Sequence, residues 1–215
     1  MKKFLMLACA AFFFSCSSND DESSNGGGGG NNNNTVAYIQ GKMDGTAFDY
    51  TFNNTATDTY LYNPISGFSG LGFDRWYYYG GMTTAFNSSF TPSFTIAWNN
   101  MYFGEGGDES GETAAFHTTV GTLPSNFLTQ AQDDNHMPGI EIGYEAANGN
   151  YYSSKEGIQT GSALSVSNYS PGTTAGTKTM TVTGTFSCKL YNDEDPTDVI
   201  DVTNGKFKLI LSEFN

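Results

Sequence analysis

Alternation of apolar and polar residues constrains the fold of this chain more than any other feature. The longest run begins at Met180, where one alternate set of positions is apolar and the other is polar. The apolar set is Met180, Val182, Phe186, Cys188 and Leu190. Successive side chains of a β-strand point to opposite faces, so this period of two predicts a strand with one buried face. Shorter runs at 48–52, 94–98 and 140–144 extend the pattern, which predicts about ten strands in all.

Ten strands that each have one apolar face are not stable as a single open sheet in water. The apolar faces have to be buried against each other, in two stacked sheets or in one sheet that closes on itself. We favour the first arrangement: an all-β fold, an antiparallel β-sandwich of about ten strands. At most one short helix is predicted, at 125–132, and the glycine-rich segment 104–111 is predicted to be a loop.

Two dipeptides indicate turns. Asp44-Gly45 and Asn204-Gly205 each lie between alternating segments, and both accept the positive φ angles of two-residue hairpin turns. Each is therefore predicted to join two antiparallel strands. Gly184 interrupts the apolar face of the long strand and predicts a bulge or a close crossing of two strands there.

The first 34 residues are predicted to lie outside this domain. Residues 1–15 have a basic start followed by an apolar run at 4–14, which is typical of a secretory signal peptide and too short to span a bilayer stably. Residues 17–34 are acidic at first and then consist largely of glycine and asparagine. Such a segment has little to bury and is predicted to be a disordered linker. Residues 35–215 are predicted to form a single domain.

The end of the signal peptide carries a further motif. The sequence Phe13-Phe14-Ser15-Cys16 resembles the lipobox of bacterial lipoproteins, in which the cysteine becomes the lipidated first residue. This resemblance implies that Cys16 carries lipid and anchors the protein in a membrane. The acidic cluster at 19–22 resembles the surface-export signal of lipoproteins in Bacteroidota, which implies an outer-membrane protein that faces the cell exterior. An ordinary signal peptide and a merely solubilising spacer are the alternatives.

The remaining cysteine is predicted to be buried. Cys9 leaves with the signal peptide and Cys16 is expected to carry lipid, so Cys188 has no partner for an intramolecular disulfide. An exported protein usually avoids an exposed free thiol. Alternation also places Cys188 on the apolar face of its strand, where it acts as a small hydrophobic residue.

The charge of the chain excludes one class of partner. The formal net charge is −13. Loss of residues 1–15 leaves seven basic residues against 22 acidic ones, a net charge of −15. Affinity for nucleic acid comes mainly from cations placed on phosphates, so no nucleic-acid partner is expected.

Five stretches of the domain resemble a group of uncharacterised Bacteroidota lipoproteins. They are GKMDGTAF at 41–48, YYSS at 151–154, GSAL at 161–164, VTGTFS at 182–187 and VTNGKF at 202–207. The resemblance implies the location and a β-sandwich. It transfers no activity and no site residue.

Motifs of catalysis are absent from the sequence. The chain has two histidines, His117 and His136, and no HExxH, GxSxG, CxxC or P-loop motif. No catalytic residue, cofactor or metal site is therefore predicted. Three acidic groups are the nearest candidates for calcium, although acidic turns are usually just solvated. They are Asp193, Glu194, Asp195 with Asp198; Asp108, Glu109 with Glu112; and Asp133, Asp134 with His136.

Aromatic residues provide the candidate binding site. Trp76-Tyr77-Tyr78-Tyr79 reads as a strand with aromatic rings on both faces, so one pair is expected to meet solvent unless both faces are buried. Exposed rings with a polar edge suit ligands that have one apolar face, sugars above all. The predicted ligand-binding residues are Trp76, Tyr77, Tyr79, Trp98 and Tyr102. Core packing is the alternative role for these rings.

These observations together predict a lipid-anchored protein of the cell envelope. Its domain is expected to be a non-enzymatic extracellular binding module for a glycan or another envelope protein. One alternative is a hydrolase that uses paired carboxylates, which needs two facing acids in a cleft. Another is a structural or adhesin component of the envelope, for which an unpaired edge strand is the expected feature.

Overall fold

The alternating segments form the strands of one antiparallel sheet. The structure, a computed structural model, describes residues 35–55, 58–69, 75–84, 92–103 and 109–214. Within these residues there are ten strands: β1 (Ala37–Met43), β2 (Thr46–Phe52), β3 (Tyr60–Ser69), β4 (Arg75–Thr84), β5 (Ser93–Met101), β6 (Gly139–Glu145), β7 (Tyr151–Ser153), β8 (Ala163–Thr174), β9 (Thr177–Asn192) and β10 (Val199–Ser212). The all-β, antiparallel prediction with about ten strands is confirmed.

The sheet is nearly closed. Its order is β2-β1-β10-β9-β7-β6-β5-β4-β3, and β8 pairs with β9 beside this path. The two end strands, β2 and β3, meet through side chains: the ring centroids of Tyr50 and Tyr60 are 4.6 Å apart. The strands thus curl into one continuous sheet, where the sequence favoured two stacked sheets. Strand β9 joins the parts of this sheet, because it pairs with β10 along one edge and with both β7 and β8 along the other.

The core lies on the enclosed face of this sheet. Alternate residues of the strands point inward and are buried, as the period of two predicts. The largest fully buried side chains include Trp76, Tyr78, Trp98, Phe94 and Phe207. From β1 onward, the strands and helices belong to one compact unit. The predicted signal peptide, Cys16 and the linker lie outside the described residues.

Cys188 is buried, as predicted. Its side chain is a free thiol on the enclosed face of β9, 3% exposed. Burial raises the pKa of this thiol far above its usual range, and the negative charge of Asp201 adds to the effect. The thiol is therefore protonated and is packed as a hydrophobic side chain.

One of the two predicted hairpin turns is correct and the other is wrong. Asp44 and Gly45 have φ angles of 48° and 81° and join β1 to β2. Asn204 also has a positive φ, 53°, but β10 runs through it without reversing. The pairing of β10 with β9 shifts register between Val202 and Gly205, so this dipeptide forms a β-bulge.

Two helices interrupt the strands in the described part of the chain. The first, α1 (Glu109–Val120), begins where a loop was predicted, and its length exceeds the single short helix expected. Its segment contains Gly111 and three threonines, and buried Glu112 breaks the apolar stripe that identifies a helix from sequence. The second, α2 (Gln130–Asp134), overlaps the predicted helix at 125–132, and its N-cap is Thr129, which forms a capping box with Gln132. Neither helix has the length and apolar character needed to cross a bilayer.

Candidate functional site

Strand β4 divides the predicted aromatic site between two faces. Alternation turns Trp76 and Tyr78 toward the enclosed face, where both are fully buried. Tyr77 and Tyr79 point to the outer face and are partly exposed. The strand therefore contributes two rings to the core and two to the surface.

Trp76 and Trp98 belong to the core, which corrects their assignment to a ligand-binding surface. Both indoles are 0% exposed. Trp76 packs edge-on against Phe214, with 5.7 Å between ring centroids, and Trp98 packs edge-on against Phe207 at 6.1 Å. A closed sheet needs large side chains to fill its interior, and these two tryptophans supply them. A ligand bound at the protein surface therefore cannot contact either indole.

The other three predicted residues lie at the surface. The rings of Tyr77 and Tyr79 are nearly parallel, with planes 16° apart and centroids separated by 6.3 Å. The side chain of Tyr77 leans across β3 and covers Gly67. A Cβ added to Gly67 would lie well under 3.0 Å from the Tyr77 hydroxyl. Tyr102 follows the end of β5 and is 45% exposed.

Sequence reasoning missed one member of this surface, Arg75. The Cζ atom of its guanidinium lies 4.5 Å from the centroid of the Tyr102 ring, a cation–π contact. Arg75 shares the outer face of β4 with Tyr77 and Tyr79, because the three occupy alternate positions. The signal was present in the sequence: Arg75 is the only arginine of the chain and directly precedes the aromatic run. Arg75, Tyr77, Tyr79 and Tyr102 are called the tyrosine surface below.

The side chains that flank Tyr79 on the tyrosine surface are apolar. Tyr79 pairs with Ile65 of β3 on one side and with Ala97 of β5 on the other. Paired residues point to the same face of a sheet, so these two side chains flank the Tyr79 ring. The tyrosine surface thus combines partly exposed aromatic rings, phenol hydroxyls and one cation.

A second group of polar residues is buried inside the fold. The Tyr78 hydroxyl donates a hydrogen bond of 2.5 Å to Glu112 Oε1, and the backbone N–H of Phe214 donates to the same oxygen at 3.3 Å. Burial raises the pKa of Glu112, and the nearby Glu213 adds to the rise. Glu112 and Glu213 are 0% and 7% exposed. They are the two buried acids among the described residues, so neither is open to a polysaccharide at the surface.

The raised pKa of Glu112 predicts the direction in which stability changes with pH. The folded protein holds a proton on Glu112 at pH values where the unfolded chain has released it. The contribution of this group to the free energy of unfolding is therefore largest below the unfolded pKa and is lost as pH rises through the folded pKa. Glu112→Gln keeps an oxygen acceptor for Tyr78 and removes the titration. Its free energy of unfolding is expected to fall less than that of the wild type as pH rises from about 4 to about 8.

Urea unfolding at several pH values measures this difference. Glu194→Gln, a change at an exposed acid in the loop between β9 and β10, is the control and is expected to follow the wild type. Equal pH slopes for the wild type and Glu112→Gln would show that Glu112 ionises as easily in the fold as in the unfolded chain.

Lys155 is held between two carboxylates on the other side of the sheet. Its Nζ lies 3.0 Å from Asp133 Oδ2 and 3.6 Å from Glu141 Oε2. Asn100 donates to Asp133 at 2.9 Å and Ser153 donates to Glu141 at 2.7 Å. Burial raises the pKa of Asp133, but the hydrogen bonds from Lys155 and Asn100 outweigh it and lower the pKa overall. These ion pairs and hydrogen bonds tie α2 and the segment after β7 to the sheet.

The acidic groups at 193–198 and 133–136, which were considered for calcium, do not converge on a metal site. Among the described residues, no set of three or more His, Cys, Asp or Glu side chains has a geometry that could hold a metal ion. Asp195 accepts hydrogen bonds from Thr197, and Asp198 accepts from Tyr152 at 2.7 Å. Asp108 and the side chain of Glu109 lie outside what the structure describes.

His117 has a structural role. Its Nε2 lies 3.0 Å from the carbonyl oxygens of both Gly172 and Thr179. Two carbonyl acceptors require a proton on this nitrogen. His117 therefore fastens α1 to the hairpin formed by β8 and β9.

A shallow concavity of about 360 Å³ lies beside the hairpin of β1 and β2. Its lining includes Gln40, Lys42, Phe48, Asp49 and Lys206. It contains one carboxylate, Asp49, which accepts a hydrogen bond from Gln40 at 2.8 Å. Paired-carboxylate hydrolysis needs two acids on opposite sides of the scissile bond, and this concavity supplies one.

Comparisons with models of protein families, with curated proteins and with solved structures returned no significant match. The role of the tyrosine surface is therefore argued from its own geometry and chemistry.

Proposed function

We propose that this protein is a lipid-anchored binding module of the outer membrane, without catalytic activity, whose tyrosine surface binds an extracellular glycan. The observation that carries the proposal is the pair of nearly parallel, partly exposed rings of Tyr77 and Tyr79 on the outer face of β4. Another envelope protein is the competing ligand, and the experiment below separates the two.

The chemistry of the tyrosine surface suits a sugar. A pyranose has an apolar face of C–H groups and a rim of hydroxyls, so it pairs with an aromatic ring that has a polar edge. Tyrosine supplies both parts, and its ring loses little conformational entropy on binding. A stretch from Arg75 to Tyr79 spans about 13 Å, at about 3.3 Å per residue, which accommodates a short run of sugar units.

The anchor supports an extracellular role. Lipid on Cys16 and a linker at 17–34 would hold the domain near the membrane without fixing its orientation. The net charge of −15 gives no attraction to anionic lipid, so the acyl chains have to supply the hold on the membrane. Mass spectrometry of the mature protein tests this part: the first residue is expected to be Cys16 with attached lipid, and an unmodified thiol there would contradict it.

Loss of both outer tyrosines is expected to weaken glycan binding strongly. In Tyr77→Ala/Tyr79→Ala, each truncation of a central aromatic contact costs about 2 kcal/mol, or about thirtyfold in Kd. A glycan array with the mature chain, made soluble by Cys16→Ser, identifies the ligand. Isothermal titration calorimetry with that ligand then measures the change.

Tyr38→Ala is the matched control. Tyr38 is also a partly exposed tyrosine of the outer sheet surface beneath a cation, Lys206, but it lies on β1. This variant is expected to bind as the wild type does. Equal loss in both variants would contradict the assignment of the site to β4. An array without any bound glycan, together with capture of an envelope protein that depends on Tyr77 and Tyr79, would establish the competing ligand.

A further inference from the structure

We propose that strand β8 is an interface between two copies of this chain: its open edge pairs, antiparallel and about a two-fold axis, with β8 of a second copy. The inference rests on the hydrogen bonding, the charge and the side-chain pattern of residues 163–170. It does not depend on the proposed function, because no residue of the tyrosine surface takes part in it.

The outer edge of β8 has no strand beside it. β8 pairs with β9 along its whole length, and within the described residues it pairs with no other strand. The strands at the two ends of the sheet, β2 and β3, meet through aromatic side chains. Near the end of β8, the carbonyl of Gly172 accepts a hydrogen bond from the His117 ring. The backbone of 163–170, which comes before it, has no hydrogen bond to any described element except β9.

Backbone donors and acceptors point outward at this edge. A Cβ at Gly184 would meet the carbonyl oxygen of Ser165, so this oxygen is directed to β9. Successive residues of an antiparallel strand direct their N–H and C=O groups to opposite edges. The groups of Leu164 and Val166 are therefore on the outer edge, where another strand can pair with them.

The segment is also free of charge. No Asp, Glu, Lys or Arg lies between Glu156 and Lys178, whereas the mature chain as a whole has a net charge of −15. Charged side chains commonly protect edge strands from association, and β8 has none. Pro171 lacks an N–H, so it ends the open edge at Ser170. Two acidic copies repel each other over most of their surface, and an uncharged edge is where they can approach.

The side chains of this segment follow a pattern that is the same from both ends. Leu164, Val166 and Tyr169 are partly buried against the core, and the residues between them are exposed. A β-bulge lies between Val166 and Asn168, so that Ser167 is an extra residue and shares one position with Asn168. Val166 is thus the centre of the pattern, with one partly buried residue on each side of it.

A two-fold axis at Val166 matches the two strands. Leu164 of each copy would then lie opposite Tyr169 of the other copy, and Ser165 opposite Asn168. Apolar groups face each other on one side of the pair, and hydrogen-bonding groups face each other on the other side. This match identifies a second copy as the occupant of the edge. A stable interface buries about 1,200 Å² or more, and one pair of short strands buries less, so a weak dimer with a micromolar Kd is expected.

The oligomeric state tests the inference. Sedimentation equilibrium of the mature chain with Cys16→Ser, over a wide range of concentrations, is expected to show monomers and dimers in equilibrium. Ser165→Lys/Asn168→Lys, a change at two exposed positions, places lysines opposite each other at both contacts. The dimer of this variant is expected to be about tenfold weaker. The control, Thr46→Lys/Ala47→Lys, adds the same charge at exposed positions of β2 and is expected to leave the dimer unchanged.

Cross-linking tests the register and carries the inference if thermal unfolding shows that the lysine variant does not fold. A Ser165→Cys chain is mixed with an Asn168→Cys chain, both with Cys16→Ser, and oxidised mildly. The two thiols are opposite each other, so a disulfide-linked heterodimer is expected. Either chain alone holds its introduced thiols about 7 Å apart along the strands and is expected to cross-link far less. The native thiol of Cys188 is buried and does not compete.

Two results would contradict the inference. A chain that stays monomeric at every concentration would overturn the second copy as the occupant of this edge. A dimer as stable in Ser165→Lys/Asn168→Lys as in the wild type, or a dimer that lacks the cross-link between positions 165 and 168, would overturn β8 as its interface. Neither result bears on glycan binding, which Tyr77→Ala/Tyr79→Ala tests separately.

Discussion

Trp98→Ala is expected to lower the free energy of unfolding by about 3–5 kcal/mol. Trp98 is fully buried and packs against Phe207 across the interior of the sheet. Its truncation removes the favourable transfer of the indole from water and leaves a cavity that the surrounding strands fill only in part. The expected loss is a large share of the roughly 5–15 kcal/mol by which a domain is stable. Denaturation in guanidinium chloride, followed by circular dichroism, measures it.

Two variants calibrate this result. Trp98→Phe keeps a ring in the core and removes the indole N–H, which has no hydrogen-bond partner among the described residues, so a smaller loss is expected. Tyr102→Ala changes an exposed ring and is expected to alter the free energy of unfolding by about 0.5 kcal/mol or less. A loss of less than about 1 kcal/mol in Trp98→Ala would mean that the indole is not part of the core.

Gly184→Ala is expected to destabilise the fold by about 1–3 kcal/mol. A Cβ at this position would come well under 3.0 Å from the backbone carbonyl of Ser165 and from the Phe207 ring. The carbonyl belongs to β8 and cannot rotate away, so the strands have to separate locally. The sequence predicted a bulge or a close crossing at this glycine, and the structure has the bulge: the pairing of β8 with β9 shifts register between Val166, the partner of Gly184, and Asn168. The midpoint and slope of the denaturation curve give the change.

Gly81→Ala is the matched control, because it is also a strand glycine. The nearest atom to its added Cβ is Thr95 Cγ2 at 3.4 Å, an ordinary van der Waals contact. Its change in stability is expected to stay within about 0.5 kcal/mol. Similar effects in both variants would show that chain entropy, and not the close packing at Gly184, governs the result.

Local pattern predicted much of the fold. The alternation around Cys188 placed this residue on the buried face, and Asp44-Gly45 marked the turn between β1 and β2. Both features depend on residues close together in the chain. The period of two is a property of the strand itself, and it does not depend on which strands become neighbours.

Local pattern failed where one signal has two structural meanings. Asn204-Gly205 needs a positive φ both in a hairpin turn and in a β-bulge, so the dipeptide alone does not distinguish them. Because β10 pairs with β9 on both sides of the dipeptide, the chain forms a bulge there and not a turn. In α1, Glu112 occupies a position that faces the core, and its partner Tyr78 is 34 residues away in the sequence. From the sequence alone, a glutamate is predicted to be exposed, and only a known buried partner changes that prediction.

The sequence by itself determined that β4 has two aromatic faces, and the tertiary structure decided which of them is the surface. Trp76 and Tyr78 form one alternate set, and Tyr77 and Tyr79 form the other, so both sets predict a buried face equally well. The way the sheet curls encloses Trp76 and Tyr78 and turns Tyr77 and Tyr79 outward beside Arg75. The curvature of the sheet depends on the pairing of strands that are distant in the chain. The order of residues within one strand does not determine it.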